Sequence, residues 1–154
     1  MKILIKILKI IPFIVSALLL VFIVRSWNAN AKQKKTAKTE INFTKKEYKE
    51  VLALAKISHK KIFVDASAVW CGPCRQLEKI TFKDAEAAAY YNEHFINFRI
   101  DVEKGEGTDL ALKWKIESLP ALLIIDENGK IIARHAGYVD GKGLIEFAKE
   151  ASGK

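Results

Sequence analysis

The sequence predicts an α/β domain, a central mixed β-sheet flanked by helices on both faces. Three observations predict it. From Glu40 onward, β-rich apolar runs alternate with segments of helical periodicity. The last two runs are separated by Glu127-Asn128-Gly129, a hairpin turn that sends the chain back antiparallel. A pair of cysteines, Cys71 and Cys74, stands where an apolar run gives way to a helical one.

Taken in order, Ile41-Asn42-Phe43 is a short edge strand. Thr44 is placed to cap a helix, with Glu47 three residues on closing a capping box, and Tyr48, Val51, Leu52 and Ala55 make that helix's apolar face. Lys61 to Ser67 (KIFVDAS) is a buried strand, and the helix that opens at the cysteines carries Leu77 and Ile80 on its inner side. A further helical stretch, capped by Asp84, runs from Ala85 to Glu93. Phe95 to Asp101 (FINFRID) alternates like a half-buried strand, Thr108 to Trp114 is a short helix, and Ala121 to Asp126 (ALLIID) is a continuous apolar strand. Lys130 to His135 pairs back on it, and a terminal helix over Gly141 to Ala151 offers Leu144, Ile145, Phe147 and Ala148 to the sheet. The order is β-α-β-α-β-α-β-β-α, with the two helical stretches after the second strand counted together.

The 154 residues leave room for one such domain and a targeting segment. Residues 1–31 hold Lys2, Lys6, Lys9 and Arg25 but no acidic residue, and the fifteen residues from Ile10 to Val24 are largely apolar. They read as a signal peptide, cleaved after Ala29-Asn30-Ala31, or as a retained N-terminal membrane anchor. Residues 32–39 are polar and lysine-rich, a flexible linker, and the domain occupies residues 40–154. Without the first segment, 22 basic residues face 18 acidic ones, interleaved as in Lys45-Lys46-Glu47. The net charge of +8 therefore does not argue for nucleic-acid binding.

Two cysteines spaced by two residues at a helix start suit reversible dithiol chemistry. The sulfurs can meet, and first-turn N–H groups and the helix dipole stabilise the attacking thiolate. Cys71, at the exposed helix start, is the nucleophile that forms a mixed disulfide, and Cys74 is the resolving thiol. Pro73 sits in the first turn, where a missing N–H costs little. A purely structural disulfide is the bland alternative, but so short a loop removes little unfolded-state entropy. Zinc would need four ligands, and His59, His94 and His135 are scattered singly, so no metal is expected.

Trp70-Cys71-Gly72-Pro73-Cys74-Arg75 resembles the active-site motif of the thioredoxin family, and the similarity extends over roughly Phe43 to Ala151. The resemblance implies the thioredoxin fold. It makes Asp65, six residues before Cys71, the buried proton acceptor for Cys74. It places a cis-proline loop at Ser118-Leu119-Pro120 and, at Gly137, a glycine that keeps the substrate groove open. Trp70, Gly72, Pro73, Leu119, Pro120 and Gly137 are then the client-binding residues, with Pro120 presenting backbone to an extended client segment.

The chain departs from the family pattern in places. Asn97 stands where a buried lysine usually pairs with the aspartate, Ala121 follows Pro120 in place of threonine, and Lys79 occupies the site of a kinking proline, so that Leu77 to Asp84 runs on. This stretch, with Asp101-Val102-Glu103 and Gly105-Glu106-Gly107, is more similar to the extracytoplasmic branch that includes the terminal periplasmic domain of the transmembrane disulfide reductase. What this implies is a monomeric protein-disulfide reductase, soluble in the periplasm of a bacterium if cleaved and otherwise anchored to its inner membrane. Its partners are disulfide-containing clients and a membrane electron donor. No flavin or nicotinamide fingerprint is present, so the only redox group is the Cys71–Cys74 disulfide. A net disulfide-forming oxidase and a polypeptide-binding holdase that uses the same groove are the alternatives.

Overall fold

A computed structural model describes residues 39–153. The segment read as signal or anchor, and all but the last residue of the linker, lie outside the described residues. The described chain folds as β1 (Phe43–Thr44), α1 (Tyr48–Ser58), β2 (Lys61–Ser67), α2 (Gly72–Lys79), a 3-10 turn (Thr81–Lys83), α3 (Ala85–His94), β3 (Phe95–Asp101), α4 (Glu106–Lys113), β4 (Ala121–Ile125), β5 (Ile131–Ala136) and α5 (Gly141–Glu150).

The five strands form one mixed sheet in the order β1-β3-β2-β4-β5. β3 runs parallel to β1 and β2, while β4 is antiparallel to both β2 and β5. The two-residue period of each strand splits the core. Ile62, Val64 and Ala66 of β2 join Phe98, Ile100, Leu123 and Ile125 beneath α1 and α4. Phe63, Leu122 and Ile124 pack on the opposite face against Leu77 of α2, Tyr91 of α3 and Leu144 of α5. Asp65 shares the parity of Phe63, so it lies under α2. This is the thioredoxin-like arrangement, helices on both faces of a mixed sheet.

Local sequence accounts for most element ends, and five expectations are corrected. Thr44 is not a helix cap: it pairs with Phe98 in the sheet, and the cap falls on Glu47, whose N–H donates to Glu50 Oε2 at 3.4 Å. The edge strand correspondingly lies at Phe43–Thr44 rather than from Ile41 to Phe43; Ile41 is buried and its N–H donates to Phe82 O at 2.8 Å. Leu77 to Asp84 does not run on as helix. α2 stops at Lys79 because Thr81 turns inward, its hydroxyl donating to Val139 O at 2.6 Å, and Phe82 enters the core. Ile80 consequently points outward and is 56% exposed, although helical spacing from Leu77 puts it inside. Asp84 does cap α3, accepting from Glu86 N and Ala87 N.

α4 starts two residues before the expected Thr108. The Glu106 carboxylate takes the Tyr48 N–H at 2.9 Å, tying the starts of α1 and α4 together. Gly107 lies flat on β3, where a Cβ would stand 2.0 Å from Asp101 O. Among the described residues no helix is long and apolar enough to cross a membrane.

Candidate active site

The strand β2 delivers the chain to the C-terminal edge of the sheet at Ser67, and four residues later Cys71 caps α2. Cys71 Sγ accepts the Cys74 N–H at 3.2 Å, and the two sulfurs are joined as a disulfide with Cα atoms 5.3 Å apart. Gly72 and Pro73 are exposed in the first turn. Position at the helix start agrees with the sequence reading, but exposure does not. Cys71 is 2% exposed and Cys74 7%, because the bridge packs with Ala68, Val102 and Leu119. The helix N-terminus, with the Cys74 N–H on Cys71 Sγ, is what marks Cys71 as the better thiolate, not access to solvent.

Around the bridge, Trp70 is 65% exposed and its Nε1 donates to Glu103 Oε1 at 2.9 Å, which fixes the indole over the β3–α4 loop. The Leu119–Pro120 bond is cis, and the Pro120 carbonyl accepts the Gly137 N–H at 2.9 Å. Gly137 has φ +95° and, among the described residues, nothing within 4 Å of where a Cβ would be. Trp70 and Leu119 line a groove of about 410 Å³ whose floor and far wall are Val102, Ala111, Leu112 and Ile116. Gly72, Pro73, Pro120 and Gly137 are not among its lining residues.

On the other side of the bridge, a polar cleft of about 360 Å³ is lined by Asp65, Cys74, Arg75, Glu78 and Arg99, among others. Asp65 is 2% exposed; its Oδ2 accepts from Arg99 Nε at 2.7 Å, and its buried Oδ1 has no partner among the described residues. Burial pushes the carboxyl up from 3.8 to about 6, against the lowering pull of the Arg99 guanidinium. Such a group exchanges a proton readily near neutral pH.

The cation beside Asp65 was missed by the sequence reading, which took the strand to offer only the amide of Asn97. Asn97 opposes Phe63, not Asp65, and its Nδ2 is spent on Asn42 O, Tyr91 O and Asn92 Oδ1. Arg99 is the residue paired with Asp65 in the ladder. Its guanidinium lies 4.3 Å from the Phe43 ring centroid and donates from Nη1 to Glu78 Oε1 at 2.8 Å. One signal was available: in FINFRID, Arg99 has the same parity as Asn97 and Phe95, hence the face on which Asp65 lies.

The Thioredoxin-like domain family model matches residues 48–152. The thiol:disulfide interchange protein DsbD of Vibrio vulnificus is 29% identical over 134 residues, 82% of this chain. The chain spans only 22% of that relative's length. An H-type thioredoxin of Fagopyrum esculentum is 35% identical over 70% of this chain and 87% of its own. The solution structure of a candidate disulphide-isomerase from Bacteroides thetaiotaomicron superposes with a TM-score of 0.66 at 38% identity, covering 73% of this chain and 93% of that one.

Proposed function

Because the chain belongs to the thioredoxin-like domain family and is a thiol–disulfide oxidoreductase of that type, we propose that it works outside the cytoplasm as a protein-disulfide reductase. The observation that carries the direction is the sparse support of Cys71. Among the described residues its sulfur accepts one hydrogen bond, from Cys74 N–H, and Gly72-Pro73 bring it neither charge nor side-chain donor. A strong oxidant of this chemistry needs a heavily stabilised thiolate, and beyond the helix N-terminus and the Cys74 N–H the segment between the cysteines offers Cys71 no further donor.

In the reaction, the reduced Cys71 thiolate attacks one sulfur of a client disulfide, and the other client sulfur leaves as a thiolate that takes a proton. Cys74 then gives its proton to Asp65 and attacks Cys71 Sγ. The mixed disulfide breaks, the second client thiolate departs, and the Cys71–Cys74 bond forms. Two electrons have passed to the client. Trp70, Leu119 and Pro120 hold the client's extended chain beside Cys71, and Gly137 leaves room for it. The catalytic set is Cys71, Cys74 and Asp65.

Placement outside the cytoplasm is supported by the basic and apolar character of residues 1–31, a leader or anchor, and by the likeness to part of DsbD. In an oxidising compartment the dithiol must be recharged by a membrane electron donor. The test is the equilibrium reduction potential of the Cys71–Cys74 pair in the chain from Lys32. A value near about −270 mV, the level of thioredoxin, supports the reductase, and one near about −120 mV, the level of a dedicated oxidant, reverses the electron flow. Cys74→Ser accumulating clients as mixed disulfides, with Cys71→Ser trapping none, assigns the nucleophile; client binding undiminished in both points to a holdase.

A further inference from the structure

Arg99 holds two carboxylates at once. Its Nε is 2.7 Å from Asp65 Oδ2 and its Nη1 2.8 Å from Glu78 Oε1, with the Phe43 and Phe82 rings at 4.3 Å and 5.4 Å from the guanidinium carbon. The planar fork rests against both rings on one side and bridges the two carboxylates, Nε on Asp65 and Nη1 on Glu78. Glu78 belongs to the turn of α2 that follows Cys74, so the second carboxylate is carried by the cysteines' own helix.

We propose that Glu78 is a positioning residue: by sharing the Arg99 guanidinium it limits how strongly that cation holds Asp65 ionised, and so sets how readily Asp65 takes the Cys74 proton. The inference rests on the reductase reading for its purpose, not for its electrostatics. With Glu78 charged, half of the fork serves an exposed anion, and the buried carboxyl retains affinity for a proton. With Glu78 neutral, the whole guanidinium serves Asp65, which becomes a weaker base.

The other groups around Asp65 do not substitute for Glu78. Arg75, also on α2, spends Nη1 on Val69 O at 2.8 Å, and Asp101 of β3 is paired with Lys104 at 3.0 Å. β4 sets Leu122 opposite Asp65, while β1 and the 3-10 turn contribute the Phe43 and Phe82 rings. Cys74, on the cleft wall, is the proton donor itself.

The experiment follows the Asp65 carboxyl carbon by NMR against pH in the oxidised full chain, for the unaltered protein, Glu78→Gln and Glu146→Gln. Glu146 is an exposed carboxylate of α5 and controls for the loss of one negative charge elsewhere. Glu78→Gln is expected to lower the Asp65 midpoint by roughly half a pH unit and Glu146→Gln to leave it in place. The rising limb of mixed-disulfide resolution should move the same way. In an Arg99→Lys background, where a point charge replaces the fork, the Glu78→Gln shift should shrink to less than half. Equal midpoints for Glu78→Gln and Glu146→Gln overturn the proposal, as does an undiminished shift in the lysine background. If no variant turns over a disulfide, the reductase reading falls, while the midpoints still decide this one.

Discussion

The Gly137 N–H donates to Pro120 O at 2.9 Å, binding the loop before β4 to the loop after β5. The bond lies at the end of the hairpin's ladder, where Ala121 opposes Ala136. Substituting Gly137 with alanine introduces no clash, only a side chain at φ +95°. The expected cost is about 1–2 kcal/mol of backbone strain, read as a lower midpoint in denaturant with unchanged slope.

Gly107 makes the opposite case, with space rather than dihedral angle at stake. Gly107→Ala would drive its Cβ into the Asp101 carbonyl and lift α4 from β3. A loss of more than about 2 kcal/mol is expected, together with slackening of the groove wall formed by Ala111 and Leu112. Thermal unfolding checks the first effect and client KM the second.

Asp65 makes stability depend on pH with a definite sign. Its carboxyl titrates at about 6 in the fold against 3.8 ordinarily, so the folded state binds the proton more tightly. The stabilisation is complete below about pH 4 and is lost as pH rises through 6, amounting to about 3 kcal/mol. Asp65→Asn removes this dependence. The variant should therefore gain stability over the unaltered oxidised protein above pH 7 while resolving mixed disulfides more slowly. Denaturant midpoints at pH 4 and pH 8 give the comparison.

Much of this was legible in the chain. KIFVDAS and FINFRID are strands at the residues their patterns mark, and Asp84 caps α3 as its spacing from the alanines suggests. The misses share a physical origin in contacts between distant segments. Arg99 is the partner of Asp65 through strand register, 34 residues away, while Thr81 ends α2 by reaching Val139, 58 residues away. The cover over Cys71 comes from Val102 and Leu119, which no reading of its own segment supplies.

Trp70 carries a prediction that separates recognition from folding. The indole is largely exposed, so Trp70→Ala should cost less than about 1 kcal/mol of stability. Its loss should nevertheless lower kcat/KM for a protein client roughly tenfold while sparing a small linear disulfide such as oxidised glutathione, because only the former reaches across the groove.

β2 is bonded along its whole length to β3 and over five residues to β4, with a helix-covered core on each face. Amide hydrogens of such a strand exchange with deuterium only when the entire domain opens. The redox centre hangs from the end of that strand, so cycling between dithiol and disulfide should redraw exchange rates in the Ala68–Cys74 segment and around Pro120, yet leave the slowest amides of β2 as they were. A repeated electron carrier is thereby mounted on the portion of the molecule with the longest memory of its fold.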